Sequence, residues 1–333
     1  MDVSAIPLKA VDPGVLIVLL NWNDAEATLS ALDSVQQLDY PAFRVLVVDN
    51  GSTDGSGEVL EKVAGERVEF IRLAENTGYT GGCNLGLQRG LDTGAEYVWL
   101  LNNDVVVDSG TLSSLVAAAE SDPRIGLVSP RISSTDEVPE LTWVASVFSP
   151  EHRHYDSTSE PEQAAQWAME HPGKLTAIGT AMLVSVRMVR EIGILDGSLF
   201  AYWEDIDYSA RAVEAGYRIV VDEASMVFHV EKLPTHEPLS IKPHYWYYMG
   251  RNETIFWRKH VGLRRSLRPA WWSFHRFLRH LGRCSESPTS CQAILAGLWH
   301  GWTGKRGAYD SEYRMPPVVS FFVIRYGRWR GIL

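Results

Sequence analysis

The chain has 333 residues, of which 45% are hydrophobic and 22% charged, and this is the composition of an ordinary globular protein. Its best apolar run, Val15 to Leu20, is too short to cross a bilayer, and residues 1–10 do not resemble a signal peptide. The three cysteines, Cys83, Cys284 and Cys291, fit neither a zinc site nor a disulfide framework. We therefore expect reduced thiols and a cytoplasmic protein.

The charge is unevenly distributed along the chain. Residues 251–333 hold 15 Lys and Arg against 4 Asp and Glu, whereas residues 1–250 hold 16 against 37. The acidic first part argues against a nucleic-acid partner, and carboxylates gathered at a site would suit a divalent cation.

In chain order, the first hundred residues alternate between buried strands and helices. Apolar runs near residues 14–22, 43–49, 68–73 and 97–102 are each followed by a helical pattern. This alternation predicts an α/β fold with a mostly parallel sheet whose ligands bind beyond the carboxyl ends of the strands. Polar residues follow each strand at that edge: Asn21, Asn23, Asp49, Asn50, Asn76 and Asn102–Asp104.

The second half of the chain is less regular. Residues 133–174 are polar and predict a mobile or variable loop that covers a site. Residues 175–193 indicate a strand and a helix, and residues 200–231 indicate a loop, a helix and two strands. From residue 244 onward the pattern is helical, and the composition is basic and rich in tryptophan.

The stretch "EYVWLLNNDVVVD" places three polar residues inside an apolar run. Asp104 at a strand end, with Asn102 and Asn103 beside it, resembles the acidic motif that holds Mg²⁺ or Mn²⁺ against a diphosphate. The usual motif has two aspartates, and here the first is Asn102. The alternative is a polar turn between two strands.

Two glycine-containing stretches follow other strands. In "VVDNGSTDGS", Asp49 can accept hydrogen bonds from a nucleobase or ribose, whereas Ser52 to Asp54 are explained by helix capping. In "NTGYTGGCNLGL", small residues and amides precede a helix and suit phosphate or ribose contact. The relevant residues are Asn76, Gly78, Gly82 and Asn84, and a tight loop without a ligand is the alternative.

The stretch "YWEDIDYSAR" contains the candidate catalytic carboxylates. Glu204 and Asp205 lie at a predicted helix start, where carboxylates also simply favour the helix dipole. The preceding Tyr202 and Trp203 are expected to be exposed and to stack on a sugar, and a carboxylate beside a sugar can act as general base. Asp207 and Arg211 are expected to pair on the helix surface. His229, which closes "SMVFH", is either structural or a cation ligand.

As an ordered set, these motifs resemble the family 2 glycosyltransferases of the GT-A fold, in particular the rhamnosyltransferase-like branch. The resemblance runs from about residue 14 to 258 and includes "AGYRIV" and "MGRN". It implies a catalytic domain over residues 1–250, with a nucleotide-sugar half at about 14–132 and an acceptor half at about 175–250. Residues 251–333 would form a helical extension.

The resemblance also implies an activity and residue roles. An inverting, metal-dependent transferase would move a hexosyl or deoxyhexosyl group from a UDP- or dTDP-sugar to a hydroxyl acceptor, such as a glycan, a lipid-linked intermediate or a secondary metabolite. Asp49 would contact the nucleobase, Asp104 and His229 would bind Mg²⁺ or Mn²⁺, and Asp205 would be the base. Further donor contacts would come from Asn21, Asn76, Gly78, Gly82, Asn84, Asn102, Asn103 and Arg211, with Arg251 as a weaker candidate; acceptor contacts would come from Tyr202, Trp203 and Glu204.

Other readings remain open at this point. A sugar-nucleotide-forming nucleotidyltransferase would carry a Gly-rich basic loop after the first strand, and "LLNWNDAEATL" has neither glycine nor a basic residue. A non-catalytic glycan- or nucleotide-binding module of the same fold is a second alternative, and a retaining transferase is a third. The tail, with "RRSLRPAWWSFHRFLRHLGR", either contacts anionic lipid at the inner face of the cell membrane or packs on the catalytic domain.

Overall fold

The computed structural model describes residues 12–134, 140–149, 154–230, 242–262 and 288–313, together with the isolated residues 275, 316, 325 and 329. The strands are β1 Val15–Asn21, β2 Phe43–Asp49, β3 Val68–Arg72, β4 Tyr97–Asn102, β5 Val105–Val107, β6 Ile125–Ser134, β7 Leu141–Trp143, β8 Ala145–Ser149, β9 His154–Thr158, β10 Leu175–Thr176, β11 Ala181–Ser185 and β12 Arg218–His229. The helices are α1 Ala25–Gln36, α2 Ser56–Leu60, α3 Gly78–Thr93, α4 Thr111–Glu120, α5 Pro161–Glu170, α6 Val186–Ile192, α7 Glu204–Glu214, α8 Pro243–Val261 and α9 Pro288–Thr303.

The predicted parallel sheet is present as one half of a larger mixed sheet. The strand order in the described part is β3-β2-β1-β4-β11-β6-β12-β5, with β7 paired to β6. Strands β3, β2, β1 and β4 are parallel, and β11 runs antiparallel between β4 and β6. The carboxyl ends of β1, β2 and β4 therefore meet at one edge, as the sequence predicts.

Helices cover both faces of the sheet, which explains the continuous apolar runs in its strands. Along β1, Ile17 and Leu19 belong to one buried cluster, whereas Leu16 and Val18 belong to the cluster on the other face. Successive residues of a strand point to opposite faces, so a strand covered on both sides has no exposed side-chain positions. Burying each such side chain stabilises the fold by about 1.5–3 kcal/mol.

The interrupted run at Asn102–Asp104 marks a change of strand. Strand β4 ends at Asn102 in the middle of the sheet, and Asn103 and Asp104 form the turn. The chain then resumes as β5, which pairs antiparallel with β12 at the far end of the sheet. Val105 and Val107 are buried there. The apolar residues after the turn thus re-enter the core at a second place.

Two predictions for the second half are wrong. The described parts of residues 133–174 include strands β8 and β9, which form a small sheet with β10, and helix α5, where a loop was predicted. Val144 to Val147 are all buried there, and the polar residues of the stretch concealed this burial in the sequence. The two strands predicted in residues 218–229 are one, β12, whose register shifts between Asp222 and Met226.

The C-terminal helices pack on the rest of the protein. Helix α8 crosses the predicted boundary between residues 250 and 251, and Trp257 is buried with Ile206 and Phe256. Ala293 and Ala296 of α9 pack against α8. The residues of "RRSLRPAWWSFHRFLRHLGR" lie outside the described part except His275, so its predicted lipid contact stays a prediction. In the described residues, no helix is long and apolar enough to span a membrane.

Glycines let α3 approach the sheet closely. A Cβ on Gly86 would lie 2.5 Å from Val18, and one on Gly90 would lie 2.3 Å from Val98. Both glycines face β-branched side chains whose rotamers are restricted. The helix can therefore approach β1 and β4 only where these positions lack side chains.

We predict that Gly86→Ala destabilises the protein by about 1–3 kcal/mol through overpacking. The same change at an exposed helix position would stabilise by roughly 1 kcal/mol, since alanine is the better helix former. Urea denaturation at neutral pH measures the difference. Gln88→Ala, on the exposed face of α3, is the control and should change stability little. Equal stability of Gly86→Ala and the wild type would contradict the packing argument.

Candidate functional site

A large cavity of about 1130 Å³ lies at the carboxyl edge of β1, β2 and β4. Four parts of the chain line it: the strand ends, the start of α3, the loop before α7, and the C-terminal helices. The lining residues include Trp22, Asn50, Asn76, Gly78, Tyr79, Asn102, Asn103, Asp104, Gly179, Phe200, Ala201, Tyr202, Glu204, Asp205, Pro243, His244, Tyr248, Gln292, Tyr309 and Ser311. The predicted ligand edge is thus a real concavity.

The turn after β4 points oxygen atoms toward the cavity. Oδ1 of Asn102 and Oδ1 of Asp104 are both buried and have no hydrogen-bond partner in the described structure. Asn103 is held differently, because its Nδ2 donates to Thr28 Oγ1 at 3.0 Å. A buried oxygen without a partner costs free energy unless a ligand satisfies it. Asn102 and Asp104 therefore offer two acceptors to whatever occupies the cavity.

Strand pairing brings His229 to Asp104. Val105 is the register partner of His229 in the β5–β12 pair, so the residue before Val105 meets the end of β12. The Nε2 atom of His229 lies 3.4 Å from Oδ2 of Asp104. The sequence predicted both as cation ligands although they are separated by more than a hundred residues. The structure brings them together.

This donor set fits a divalent cation that keeps positions for other ligands. Within the described residues no group of three or more His, Cys, Asp and Glu side chains could hold a metal by itself. One carboxylate, one imidazole and one amide oxygen are nevertheless available at Asp104, His229 and Asn102. Mg²⁺ and Mn²⁺ in phosphate-binding sites are characteristically held by few protein groups, with phosphate and water completing the shell.

Asp49 lies beneath the cavity wall and is 0% exposed. Its Oδ1 accepts from Asn21 Nδ2 at 2.9 Å and from the Ser52 hydroxyl. Its Oδ2 has no hydrogen bond and lies 3.4 Å from Nε of Arg72. Asn21 is also fully buried, and its Oδ1 accepts from Thr28. Asn21 therefore orients Asp49, and its direct contact with a donor stays a prediction.

Asn50 is a cavity residue that the sequence analysis placed at the edge without a role. Its Oδ1 accepts from the backbone N–H and the hydroxyl of Thr77, and its Nδ2 donates to the Gly78 carbonyl at 3.0 Å. Asn76 Oδ1 in turn accepts from the Gly78 N–H at 2.8 Å. Gly78 has φ +80°, and a Cβ there would lie 2.4 Å from the Phe200 carbonyl oxygen. The amides thus fix a tight turn that forms the cavity wall.

Two residues of α3 that were predicted to contact the donor have other contacts in the structure. Gly82 lies inside the helix, where a Cβ would meet Leu20 at 2.1 Å, so it serves packing. Asn84 binds the backbone of Leu195, donating to its carbonyl at 3.0 Å and accepting from its N–H at 2.9 Å. The helix begins at Gly78, within the stretch that was predicted to be a loop. Gly82 and Asn84 therefore lie in the helix and face away from the cavity.

Glu204 and Asp205 form the acidic pair at the start of α7, and both line the cavity. Asp205 is oriented by the backbone: Oδ2 accepts from the Gly179 N–H at 2.9 Å, and Oδ1 accepts from the Ile206 N–H at 2.8 Å. Glu204 is buried, and its Oε2 has no partner among the described residues. Asp205 is thus fixed in position by two donors, whereas Glu204 is held by fewer contacts.

Burial makes both carboxyl groups weaker acids than usual. Desolvation and then the charge of Asp205 raise the pKa of Glu204 to about 8. Burial also raises the pKa of Asp205, although hydrogen bonds from the backbone of Gly179 and Ile206 oppose that effect. Two adjacent carboxylates cannot both ionise cheaply. The pair therefore holds a proton to a higher pH than exposed carboxyl groups do.

Arg211 pairs with Asp207, with 3.0 Å between Nε and Oδ2, but Asp207 is buried and not on the helix surface as predicted. The other nitrogens of Arg211 donate to the carbonyls of Ile192 and Ile194, and its contact with a diphosphate stays a prediction. Burial favours a raised pKa for Asp207, but hydrogen bonds from His260 and Lys259 of α8 outweigh it and lower the pKa to about 2. The cluster fastens α7 to α8 on the side away from the cavity.

The predicted sugar-stacking pair is half wrong. Trp203 is 4% exposed and packs against Tyr155 and Phe256, so it belongs to the core. Tyr202 does line the cavity, with its ring edge-to-face against Tyr245 at 5.1 Å. The sequence does not show which of the two side chains is exposed. Both residues have a left-handed backbone, which turns their side chains in different directions.

The C-terminal region forms part of the cavity wall. The sequence did not predict this contribution. Pro243, His244 and Tyr248 of α8, Gln292 of α9 and the segment 308–311 lie on the wall beside Tyr202. Arg251 was a weak candidate for diphosphate contact, but it is buried beneath this wall and binds carbonyls. No local motif signals these contacts, since they arise from the packing of distant helices.

The chain resembles known proteins in sequence and in fold. The model of the family described as Glycosyl transferase family 2 matches residues 16–193, more than half of the chain. The poly-beta-1,6-N-acetyl-D-glucosamine synthase of Staphylococcus aureus (strain COL) is 24% identical over 216 residues, which are 64% of this chain and 49% of the relative. The chain thus spans about half the length of this curated relative.

Solved structures with low sequence identity share the fold. The mannosyltransferase PcManGT from Pyrobaculum calidifontis, in complex with GDP-Man and Mn²⁺, superposes with a TM-score of 0.57 at 15% identity, covering 89% of each chain. S. aureus TarS 1–349 in complex with UDP-GlcNAc gives 0.58 at 15% identity, covering 96% of this chain and 88% of that one. The predicted GT-A fold class is confirmed.

We predict that Trp203→Ala destabilises the protein by about 3–5 kcal/mol, the usual cost of removing a buried aromatic side chain. Trp22 also follows an apolar segment, but it is 51% exposed, and Trp22→Ala should stay within about 0.5 kcal/mol of the wild type. Thermal and urea denaturation of both variants provide the comparison. Equal, small effects would show that Trp203 is not part of the core.

Proposed function

The chain belongs to glycosyl transferase family 2, and from this premise we propose that it transfers a sugar from a UDP- or dTDP-sugar to a hydroxyl acceptor, with inversion and with a divalent cation. One observation carries the proposal. The same cavity holds Asp104, whose partner across the strands is His229, and the backbone-oriented carboxylate of Asp205. A bound cation activates the leaving group, and a base activates the attacking hydroxyl. The reaction requires the cation ligand and the base to face the same space.

Asp104, His229 and Asn102 would hold Mg²⁺ or Mn²⁺ together with the donor diphosphate. Their support is the pair of buried oxygens without partners, Asn102 Oδ1 and Asp104 Oδ1, beside an imidazole nitrogen. When bound, the cation would neutralise the negative charge that develops on the departing diphosphate. Asn103 contributes through its hydrogen bond to Thr28, which fixes the turn that carries Asp104.

The nucleoside would lie at the end of the cavity near β1 and β2. The exposed indole of Trp22 lines this end and offers a face for stacking on a planar base. Asn50, Asn76 and Gly78 form the neighbouring wall. The free Oδ2 of Asp49 would accept from a base N–H once Arg72, whose side chain is 42% exposed, moves aside. A uracil or thymine ring presents one such N–H.

The transferred sugar is proposed to be a hexose or deoxyhexose. TarS, with 15% identity and a similar fold, was solved with UDP-GlcNAc, and this supports a uridine donor as the first to test. The motif resemblance to rhamnosyltransferases favours a dTDP-deoxyhexose as the second. Both donors present the same diphosphate to Asp104, so they differ in the contacts of the base and the sugar ring.

Asp205 is proposed to remove the proton from the acceptor hydroxyl as its oxygen attacks the anomeric carbon. The attack would come from the face opposite the diphosphate, so the bond to the leaving oxygen breaks as the new one forms and the configuration inverts. The Gly179 and Ile206 N–H groups hold Asp205 in place during this step. General-base assistance of this kind contributes roughly 10²–10⁴-fold.

The acceptor would enter beside Tyr202, His244 and Tyr248, next to the acidic pair. Glu204, protonated at neutral pH, would donate a hydrogen bond from its carboxyl group there, because burial raises its pKa to about 8. A glycan, a lipid-linked intermediate and a secondary metabolite all present the required hydroxyl.

Peripheral contact with an anionic membrane through residues 251–333 is proposed on composition, since these residues carry 15 Lys and Arg against 4 Asp and Glu.

We predict that Asp104→Ala abolishes the metal-dependent part of nucleotide binding. In the wild type, UDP or dTDP should raise the melting temperature more with Mn²⁺ than without it, since ligands that bind the folded state stabilise it. The variant should lose this difference. Asp108→Ala, an exposed aspartate beyond β5, is the matched control and should retain it. An undiminished Mn²⁺ response in Asp104→Ala would remove Asp104 from the cation site.

We predict that Asp205→Asn lowers the turnover of the donor that the wild type uses by about 10²–10⁴-fold, while nucleotide binding is retained. The amide keeps the shape but cannot accept the proton. Calorimetry with the nucleoside diphosphate and a nucleotide-release assay separate binding from turnover. Asp92→Asn on the surface of α3 is the control. Near wild-type turnover by Asp205→Asn would show that another group is the base.

The pH dependence provides a separate prediction. Asp205 acts as a base only when ionised, and burial raises its pKa above the ordinary aspartate value of 3.8. The rate constant should therefore fall with decreasing pH at a midpoint clearly above 3.8. A pH profile of kcat/KM measures this midpoint. Full activity retained down to pH 4 would contradict the raised pKa or the assignment.

A further inference from the structure

The loop Leu199–Trp203, which directly precedes Glu204 and Asp205, has a strained backbone. Phe200, Tyr202 and Trp203 have φ values of +67°, +67° and +71°, in the left-handed region that residues other than glycine rarely adopt. Four non-glycine residues of the described chain have positive φ, and three of them lie here. Such clusters persist only where the surrounding structure imposes them.

Phe200 is the centre of a tight three-residue turn. Its φ and ψ are +67° and −57°, and the Ala201 N–H donates to the Leu199 carbonyl at 2.8 Å. These are the features of the γ-turn with positive φ, which is rare and strained. Trp203 then caps α7 in the left-handed conformation, and its carbonyl accepts from the Asp207 N–H at 2.9 Å. The loop therefore determines where the helix that carries Asp205 begins.

Helix α8 fastens this loop through one side-chain amide. Nδ2 of Asn252 lies 3.0, 2.8 and 2.7 Å from the carbonyl oxygens of Leu199, Ala201 and Tyr202. The remaining carbonyl, that of Phe200, accepts from the Thr80 N–H at 3.1 Å. Every carbonyl from Leu199 to Tyr202 thus accepts a hydrogen bond, and the two N–H groups of the Asn252 amide are shared among three of the four.

Arg251 supports Asn252 in turn. Its Nε donates to Asn252 Oδ1 at 2.8 Å, which orients the amide so that Nδ2 points at the loop. Its Nη2 donates to the Leu199 carbonyl at 2.6 Å. Both residues are 0% exposed, and the Arg251 guanidinium lies over the rings of Tyr247 and Tyr248. Together the two side chains form what we call the Arg251–Asn252 clamp.

We propose that the Arg251–Asn252 clamp is a positioning device for the reaction. It holds Leu199–Trp203 in the strained conformation that sets the first turn of α7 and so keeps Asp205 against the Gly179 N–H. Its role in turnover rests on the function proposed above. Without the clamp the loop relaxes toward negative φ values, and the carboxylate of Asp205 leaves its place in the cavity wall.

Hydrogen–deuterium exchange of the full chain tests the clamp without any substrate. In Asn252→Ser, which keeps one donor, and in Arg251→Lys, which loses the Nε contact, we expect the amides of Ala201 and Gly179 to exchange at least tenfold faster than in the wild type. The Gly179 amide reports on Asp205 directly, because it donates to Oδ2. Asn252→Ala should show the largest increase if it folds.

Tyr40→Phe is the matched control. The Tyr40 hydroxyl donates to the Pro13 carbonyl at 2.7 Å, near the amino ends of the strands and away from the cavity. This variant also loses a side-chain hydrogen bond to a backbone carbonyl, but it should leave exchange at Ala201 and Gly179 unchanged. Wild-type exchange at both amides in folded Asn252→Ser and Arg251→Lys would overturn the proposal.

Turnover gives a second readout that a merely structural role would not move. With UDP-GlcNAc and dTDP-rhamnose as probes, Asn252→Ser should lower kcat for nucleotide release by about 10²-fold while the Kd for UDP or dTDP stays within twofold, since small misplacements of a reacting group are costly. If the wild type releases no nucleotide from either probe, the donor assignment fails and the exchange result still decides the clamp. Faster exchange with an unchanged kcat would overturn the catalytic role.

Discussion

The pairing of β5 with β12 is the constraint on which the rest of the site depends. The chain leaves β4 in the middle of the sheet and crosses through Asn103 and Asp104 to the strand at the far end. This crossing puts Asp104 at the edge where β1, β2 and β4 deliver their polar ends, and the register of Val105 with His229 supplies the imidazole. A hydrogen-bond chain from Asn103 through Thr28 and Asn21 to Asp49 ties the turn to β2.

The sequence predicts those features whose cause is local. The apolar strands, the polar residues at their carboxyl ends and the start of α7 at Glu204 each depend on a short stretch, and the structure has them where expected. Asp104 and His229 were expected to act together because motif resemblance carried information about distant contacts. The role of every site residue stays a prediction.

The sequence is least informative where tertiary packing decides the direction of a side chain. Trp203 and Tyr202 are neighbours, yet one is in the core and the other in the cavity wall. Arg211 has the charge for a diphosphate, but carbonyls of the segment before α7 already bind it. Asn84 bonds to Leu195, more than a hundred residues away along the chain. Composition and spacing contain no signal for any of these three contacts.

The basic C-terminal region packs against the acidic first part of the chain around the cavity. Its helix α8 begins at the cavity with Pro243 and His244, passes beneath the loop before α7 with Arg251 and Asn252, and binds Asp207 with Lys259 and His260. One helix therefore contacts the cavity wall, the strained loop and Asp207 of α7. Charge asymmetry suggested a separate appendage, whereas hydrogen bonds join α8 to the loop before Asp205 and to α7.

Calorimetric titration of the wild-type protein with UDP, dTDP, GDP and CDP, each with and without Mn²⁺, tests the central claim most directly. We expect UDP or dTDP to bind with one-to-one stoichiometry and to bind more tightly when Mn²⁺ is present. Absence of binding by all four nucleotides, with and without the cation, would contradict the assignment of the cavity to a nucleoside-diphosphate sugar.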